Sequence, residues 1–422
     1  MHIIKKYKNV YLSLVLLVAG IALFFAGAGL YHMQWWPFGQ GYFASVDVDE
    51  IVPEPRQVKL TSIFGTEDLE VRELPFSDQY PTGPFEMLGN KHFLFITKCG
   101  EVYFTRINES GEIEITKNAD SLTKPGLDER EESKGDDYDG LVYCKELAGV
   151  KDSLLVGNTL YVVYTTWDHE ANGARLAVSA FELDQEQSEL TFSKDIFLTY
   201  PAVKEPFLGH QVGGKLVLGA DDDTMFLSVG DFSKPDGVQD PSTALGKMIK
   251  INLKDASAEI YASGLRSPSG GLYFDRDSNE LWETEHGPKG GDEINLIKQG
   301  RNYGWPLVSY GTLYEREGMG NYYGNKYNSH EDFEKPAFVF NPSIGVGAIA
   351  KYPKTGKNEY WEGGFFVAGM AANSLLYMRK EGERLVYAEP VLHDYRIRAL
   401  KIDKNGRFFI KTDNDQFLWM EK

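Results

Sequence analysis

Cysteine is scarce in this chain of 422 residues, which contains only Cys99 and Cys144. Two cysteines are too few for a disulfide scaffold, and their distant positions exclude the CxxC pair of a thiol redox enzyme. In an oxidising compartment they could form one disulfide, worth roughly 3–4 kcal/mol through the loop that it closes. Two free buried thiols are the equal alternative.

Positive charge is also in short supply. The chain has 44 Lys and Arg against 62 Asp and Glu, for a formal net charge of -18. A surface of this sign repels phosphate groups, which argues against nucleic acid and anionic lipid as partners. We interpret most of this acidity as solvated surface rather than as a cation-binding site.

A long apolar run occurs at the N-terminus. Three lysines lie within the first eight residues, and Val10 to Leu30 then contains no charged residue. About 20 apolar residues cross a bilayer as a helix, and the lysines should stay on the cytoplasmic side. Residues 1–36 are therefore predicted to hold a transmembrane anchor, with the body of the protein periplasmic or extracellular. A cleaved signal peptide ending near Ala26-Gly27-Ala28 is the alternative.

The rest of the chain has the composition of an all-β protein. Residues 37–56, with three prolines, are predicted to be a linker. Within 57–422 a turn residue repeatedly precedes a short aromatic and β-branched run, and six copies predict a six-bladed β-propeller rather than a β-sandwich. The copies are His92–Thr97, Thr159–Tyr164, Thr224–Val229, Glu280–Glu285, Gly364–Gly369 and Arg407–Thr412.

Candidate functional residues are concentrated in three stretches: 264–272, 281–296 and 300–306. These stretches are rich in Gly and Pro, and they also carry Arg, His, Asp and Glu. Such loops after a strand indicate a backbone that approaches a ligand closely. Their free carbonyl oxygens are also suited to a hard cation such as calcium.

These stretches resemble the signature of the soluble glucose and aldose-sugar dehydrogenase family, six-bladed propellers that use pyrroloquinoline quinone (PQQ) and calcium. Glu-His-Gly-Pro, Gly-Asp-Glu-Ile-Asn and Asn-Tyr-Gly-Trp-Pro occur in the family's order and spacing. The similarity extends from about residue 130 to the C-terminus. It implies oxidation of an aldose sugar to its lactone, with electrons leaving through the quinone to an external acceptor.

The resemblance also implies roles for individual residues. His210, within Gly209–Leu216, matches the catalytic base, and a neutral imidazole suits proton abstraction at neutral pH. Asp292 matches the carboxylate that supports the histidine and the substrate. Arg266 matches the arginine beside the reactive quinone oxygens, where a fixed positive charge stabilises the reduced ring.

Further matches concern the cofactor and the metal. Arg396 and Arg398 resemble a pair that binds the cofactor's carboxylates, and alternation along a strand would place both on one face. Gly287 and Pro288 match the positions whose carbonyls hold calcium, which polarises the quinone as a Lewis acid.

Three positions depart from the family pattern. Ala371 stands where a cofactor-binding lysine is usual, Tyr138 stands where a glutamine is usual, and Leu313 provides no acidic ligand for a further calcium. The departures at Ala371 and Tyr138 favour the alternative of an inactive propeller that binds a carbohydrate or protein without PQQ. Hydrolysis of a lactone by a calcium propeller would need a ring of carboxylates, which the motifs do not contain. The retained histidine, aspartate and arginines favour the dehydrogenase.

Overall fold

The computed structural model describes residues 56–63, 65–77, 83–119, 121–125, 141–145, 147–312, 330–355 and 357–421. These residues form 25 strands and two short 3-10 helices, Gly209–Gln211 and Pro235–Gly237, with no α-helix among them. Across these ranges no helix is long and apolar enough to cross a membrane. The predicted anchor within 1–36 lies outside the described residues, and so does the linker except for Arg56.

The strands form six antiparallel sheets arranged as the blades of a propeller. Two strands, β1 (Arg56–Ser62) and β2 (Gly65–Glu73), precede the first complete blade. Blade 1 contains β3 (Phe85–Met87), β4 (His92–Ile96), β5 (Val102–Ile107) and β6 (Ile113–Ala119). Blade 2 contains β7 (Val150–Val156), β8 (Thr159–Asp168), β9 (Gly173–Asp184) and β10 (Glu189–Leu198).

The next three blades repeat this four-stranded pattern. Blade 3 contains β11 (Gly213–Leu218), β12 (Thr224–Val229), β13 (Lys247–Asn252) and β14 (Ala258–Ser263). Blade 4 contains β15 (Gly271–Asp275), β16 (Glu280–Glu285), β17 (Asp292–Ile297) and β18 (Phe338–Phe340). Blade 5 contains β19 (Val346–Lys351), β20 (Phe365–Gly369), β21 (Ser374–Glu381) and β22 (Arg384–His393).

Blade 6 joins distant parts of the chain. It contains β23 (Ile397–Ile402), β24 (Phe408–Thr412) and β25 (Gln416–Trp419), followed in the sheet by β2 and then β1. The register places Glu70 opposite Trp419. This pairing closes the ring. Near the propeller axis, the first strand of each blade lies against that of the next, from β3 through to β23.

The six repeated runs predicted from the sequence coincide with the second strand of each blade, which confirms the count of six. A second strand is covered on both faces by neighbouring blades, so its residues are apolar almost throughout. In β16, for example, Trp282 is fully buried and its ring centroid lies 4.9 Å from that of Phe365 in blade 5. Leu281 points the other way, into the cluster that contains Phe226 of blade 3.

Cys99 and Cys144 form a disulfide, which settles the pairing that the sequence left open. It connects the turn between β4 and β5 to the segment that leads into blade 2. That segment is also attached by Tyr143, whose hydroxyl donates to Glu205 Oε1 at 2.6 Å. The disulfide therefore fixes one loop that approaches the candidate site described below.

Removing this disulfide is expected to lower the free energy of unfolding by about 3–4 kcal/mol, because its sulfurs close a loop with a sequence separation of 45. The measurement is urea denaturation of the oxidised protein, the reduced protein and the Cys99→Ala/Cys144→Ala double variant. The reduced protein and the double variant should unfold at similar, lower urea concentrations. Equal midpoints for all three would contradict the prediction.

Candidate active site

The predicted site residues lie on one rim of the propeller. We call it the site rim: the edge at which the first strand of each blade begins, and where the loop between the second and third strands also emerges. His210 lies between β10 and β11, Arg266 between β14 and β15, Gly287 and Pro288 between β16 and β17, and Asp292, Arg396 and Arg398 at the starts of β17 and β23.

His210 is exposed in the middle of the 3-10 helix Gly209–Gln211. Gly209 is needed there, because a Cβ atom at this position would lie 2.2 Å from the backbone nitrogen of Ala148. On the other side, the carbonyl oxygen of His210 accepts hydrogen bonds from Ser267 Oγ at 3.1 Å and Ser269 Oγ at 3.2 Å. The backbone is thus held while the imidazole faces the rim.

Arg266 is buried beside this helix. Its Nη1 donates to the carbonyl oxygens of His286 and Gly287, both at 2.8 Å, and its guanidinium lies 5.2 Å from the ring centroid of Trp305. Its Nε is buried and has no hydrogen-bond partner among the described residues. A buried donor of this kind costs free energy, so it indicates a place for an acceptor on a ligand.

Gln211 connects the His210 helix to Arg266. In the amide orientation that satisfies both ends, Gln211 Oε1 accepts from Arg266 Nη2 at 2.8 Å, and Nε2 donates to Ser233 Oγ and Asp231 Oδ1. Asp231 also accepts from Trp305 Nε1 at 2.9 Å. Burial raises the pKa of Asp231 to about 6, and the nearby guanidinium opposes that rise. The network fixes the orientation of Arg266 relative to His210.

Asp292 joins two segments of the site rim by hydrogen bonds: the turn that carries Gly287 and the segment that leads into blade 5. Its carboxylate accepts from the backbone nitrogens of Gly287, Ile344 and Val346, at 3.0–3.1 Å, and from Ser343 Oγ at 2.8 Å. These bonds hold the turn that carries Gly287 against the strand entering blade 5. The predicted support of His210 by Asp292 stays a prediction, while its structural role is visible in these four bonds.

An acidic cluster lies behind this turn. Glu283 and Glu285 on β16 stand opposite Asn295 and Glu293 on β17, and all four side chains are buried. Burial, and then repulsion between neighbouring carboxylates, raises the pKa of Glu283 and Glu293 well above the usual value. Burial likewise raises the pKa of Glu285 to about 7. The cluster therefore retains protons near neutral pH.

Arg396 and Arg398 share one carboxylate. Arg398 donates from Nε and Nη2 to the two oxygens of Asp413, both at 2.7 Å, and Arg396 Nε donates to Asp413 Oδ2 at 2.6 Å. This common partner confirms that both arginines lie on one face. Arg396 Nη1 also donates to the carbonyl of Met370, the neighbour of Ala371. No sequence motif predicts the role of Asp413, which lies in the turn between β24 and β25.

The pKa of His286 reflects the charged groups around this part of the site rim. Burial, together with the positive charges of Arg266, Arg398 and Arg396, lowers the pKa of His286 to about 4 against the opposing effect of Asp292. Three guanidinium groups, one from the connection between blades 3 and 4 and two from blade 6, thus act on His286. Positive charge from distant parts of the chain is therefore gathered near His286, beside the carboxylates of Asp292 and Asp413.

The site residues fit an anionic quinone better than they fit calcium. Arginines match carboxylates in charge and geometry, and no described residue provides an acceptor for Arg266 Nε. The Gly287 carbonyl, in contrast, already accepts a hydrogen bond from the Arg266 guanidinium. A calcium ion on that oxygen would face this cation at close range, so the residues as they stand do not fit the ion.

Of the three departures from the family pattern, only Ala371 lies among the described residues. Ala371 is exposed on the site rim between β20 and β21, and its backbone nitrogen donates to the carbonyl of Ile344. Its methyl group provides no positive charge at this position. Tyr138 and Leu313 lie outside the described residues.

Two known proteins similar in sequence are named as sugar dehydrogenases. Aldose sugar dehydrogenase YliI of Escherichia coli is 28% identical over 260 residues, which cover 57% of this chain and 66% of that protein. Quinoprotein glucose dehydrogenase B of Acinetobacter calcoaceticus is 30% identical over 209 residues, or 41% of this chain and 39% of that protein. The chain thus matches just under two thirds of the length of the first relative.

Solved structures share the fold. The soluble aldose sugar dehydrogenase of Escherichia coli in its apo form superposes with a TM-score of 0.67 at 22% identity, covering 83% of this chain and 99% of that one. The PQQ-bound aldose sugar dehydrogenase of Streptomyces coelicolor gives a TM-score of 0.56 at 18% identity, covering 83% and 97%. Residues 87–419 match the family described as glucose/sorbosone dehydrogenase, and the chain belongs to that family.

Proposed function

We propose that this protein oxidises an aldose sugar to its lactone with PQQ as cofactor and passes the electrons to an external acceptor. The observation that carries the proposal is the convergence of three arginine charges on the site rim, where Arg266 is connected through Gln211 to the helix of His210. Family membership and the names of the similar proteins support the reaction class.

Each residue then has a defined task. His210 receives the proton of the sugar's anomeric hydroxyl, and its exposed imidazole is accessible to a substrate from solvent. Arg396 and Arg398 bind carboxylates of the cofactor, and Arg266 holds negative charge near the reacting atoms. The quinone, when bound, supplies the two-electron acceptor for the hydride that leaves the sugar carbon.

The first test is calorimetric titration of PQQ into the full-length protein in detergent, with calcium and with chelator, followed by aldose oxidation with an artificial acceptor. Saturable binding together with lactone formation would support the proposal. No binding at high micromolar PQQ in either condition would contradict it and favour the binding propeller, for which Ala371 is the supporting observation. Binding that requires calcium would show that the ion replaces Arg266 as the partner of the Gly287 carbonyl.

Ala371→Lys is expected to tighten PQQ binding by about 5- to 20-fold, because it adds a cation beside the arginine pair. The residue is exposed, so the longer side chain has room. Calorimetry at two salt concentrations measures the effect, which should shrink as salt increases. Ala371→Met is the matched neutral control. Equal tightening by both variants would show that charge is not responsible.

We also propose that residues 1–36 anchor the protein in a membrane with the propeller on the periplasmic or extracellular side. The charge-free run from Val10 to Leu30 after three lysines supports this location. Carbonate extraction of membranes, compared for the full chain and a variant lacking residues 1–45, tests the anchor. Release of the full chain into the soluble fraction would contradict it.

A further inference from the structure

A buried lysine lies next to the helix of His210. Lys151, on the first strand of blade 2, is 8% exposed, and its Nζ donates to the carbonyl of Gly209 at 2.9 Å. The same ammonium also donates to the carbonyl of Leu147. Neither bond follows from a sequence motif, because the three residues are brought together by blade 2 and the loops on either side of it.

Burying this ammonium has an energetic cost. Loss of water around it, followed by the positive charges of Lys215, Arg398 and Lys98, lowers the pKa of Lys151 to about 7. An aliphatic side chain at this position would avoid that cost entirely. The ammonium instead donates hydrogen bonds to two carbonyls, one of which belongs to Gly209, the residue immediately before His210.

The placement of His210 depends on contacts from both sides. Ser267 and Ser269 donate to the His210 carbonyl from the segment before blade 4, while Lys151 holds the Gly209 carbonyl from blade 2. Gly209 itself touches the backbone of Leu147 and Ala148. Without the ammonium, the Gly209 and Leu147 carbonyls would lose a common donor, and only the close packing of Gly209 would attach the helix on the blade 2 side.

We propose that Lys151 is a positioning residue, which fixes His210 by joining the Gly209 carbonyl to the Leu147 carbonyl. The inference deepens the proposed function, since it rests on His210 as the base. An error of about 1 Å in the position of a catalytic group can cost on the order of 100-fold in rate. Lys151 thus acts through the backbone of His210 and not on the substrate.

A matched control exists in blade 3. Lys247 is 1% exposed, and its Nζ donates to the carbonyls of Val238 and Leu245 at 2.6 and 2.8 Å. It is therefore another buried ammonium that joins two carbonyls of a rim loop. It holds a loop without any of the predicted site residues, so Lys247→Met measures the purely structural effect of removing such a lysine.

The experiment compares Lys151→Met, Lys151→Arg and Lys247→Met in the full-length protein. In Lys151→Met, kcat for aldose oxidation should fall about 10- to 100-fold while the calorimetric Kd for PQQ stays within about threefold. Lys151→Arg keeps a donor and should recover most of the loss, whereas Lys247→Met should leave kcat within about threefold. An unchanged kcat in Lys151→Met, or a loss confined to PQQ binding, would overturn the proposal.

Amide hydrogen exchange provides a readout that does not need catalysis. Exchange across Leu208–Val212 should accelerate at least about fivefold in Lys151→Met and should stay near wild type in Lys151→Arg and Lys247→Met. Equal exchange in every protein would overturn the positioning role. If wild type lacks PQQ-dependent oxidation, the proposed function fails separately, and exchange alone decides whether Lys151 holds the helix. If Lys151→Met does not fold, Lys151→Gln takes its place in both measurements.

Discussion

Replacing His210 with alanine is expected to lower kcat for aldose oxidation by about 10²- to 10⁴-fold, the range attributed to general base catalysis. The imidazole is exposed on the site rim, so its removal creates no cavity and should not disturb the fold. Steady-state kinetics with an artificial acceptor measure the loss. Calorimetry should show PQQ binding within about threefold of wild type, because the arginines are untouched.

His92→Ala is the control for this prediction. His92 is another exposed histidine, at the start of β4 and on the opposite rim, and its removal should leave kcat unchanged. Activity of the His210→Ala variant within about threefold of wild type would show that the base lies elsewhere. His286 would then be the next residue to test, since the arginines and burial favour its neutral form.

Arg398→Gln is expected to weaken PQQ binding by about 10- to 100-fold. A hydrogen bond to a charged group contributes about 1.5–3 kcal/mol, and the variant loses such a bond to the ligand. It also leaves Asp413, now bonded only to Arg396, to repel the ligand's carboxylates. Calorimetric titration at two salt concentrations measures both the affinity and its electrostatic part.

Arg407→Gln is a closely matched control, because Arg407 pairs with Asp403 in the same blade, on the opposite rim. Its Nε donates to Asp403 Oδ2 at 2.8 Å, and its side chain is 18% exposed against 23% for Arg398. This variant should retain wild-type affinity. Similar weakening in both variants would indicate a general loss of blade 6 stability rather than a lost ligand contact.

The sequence predicted the number of blades well because of how a propeller buries its strands. Each second strand is covered on both faces, so its apolar run is unbroken and easy to recognise, as in Phe365–Gly369. Outer strands face solvent and alternate, as in Glu189–Leu198, which gives a weaker signal. The part of blade 6 formed by β1 and β2 could not be predicted, since strands paired across nearly the whole chain leave no local pattern.

The sequence allowed site residues to be proposed only where they belong to a continuous motif. Arg266 and Gly287 were found through Gly-rich loops, and the structure places them in direct contact. Asp413 and Lys151 were missed because their roles come from hydrogen bonds between segments far apart in the chain. Such partners carry no spacing rule, so only the fold reveals them.

The closure of blade 6 also determines when the protein can become native. Pairing Glu70 with Trp419 brings together residues separated by most of the chain, an arrangement of very high contact order. At about 5–20 residues per second, roughly 20 to 70 s pass between the synthesis of Glu70 and that of Trp419. Until then β2 presents an unpaired edge, which is the kind of surface that aggregates or needs a chaperone. Yield of native protein should therefore depend more on protecting this late intermediate than on the final stability of the ring.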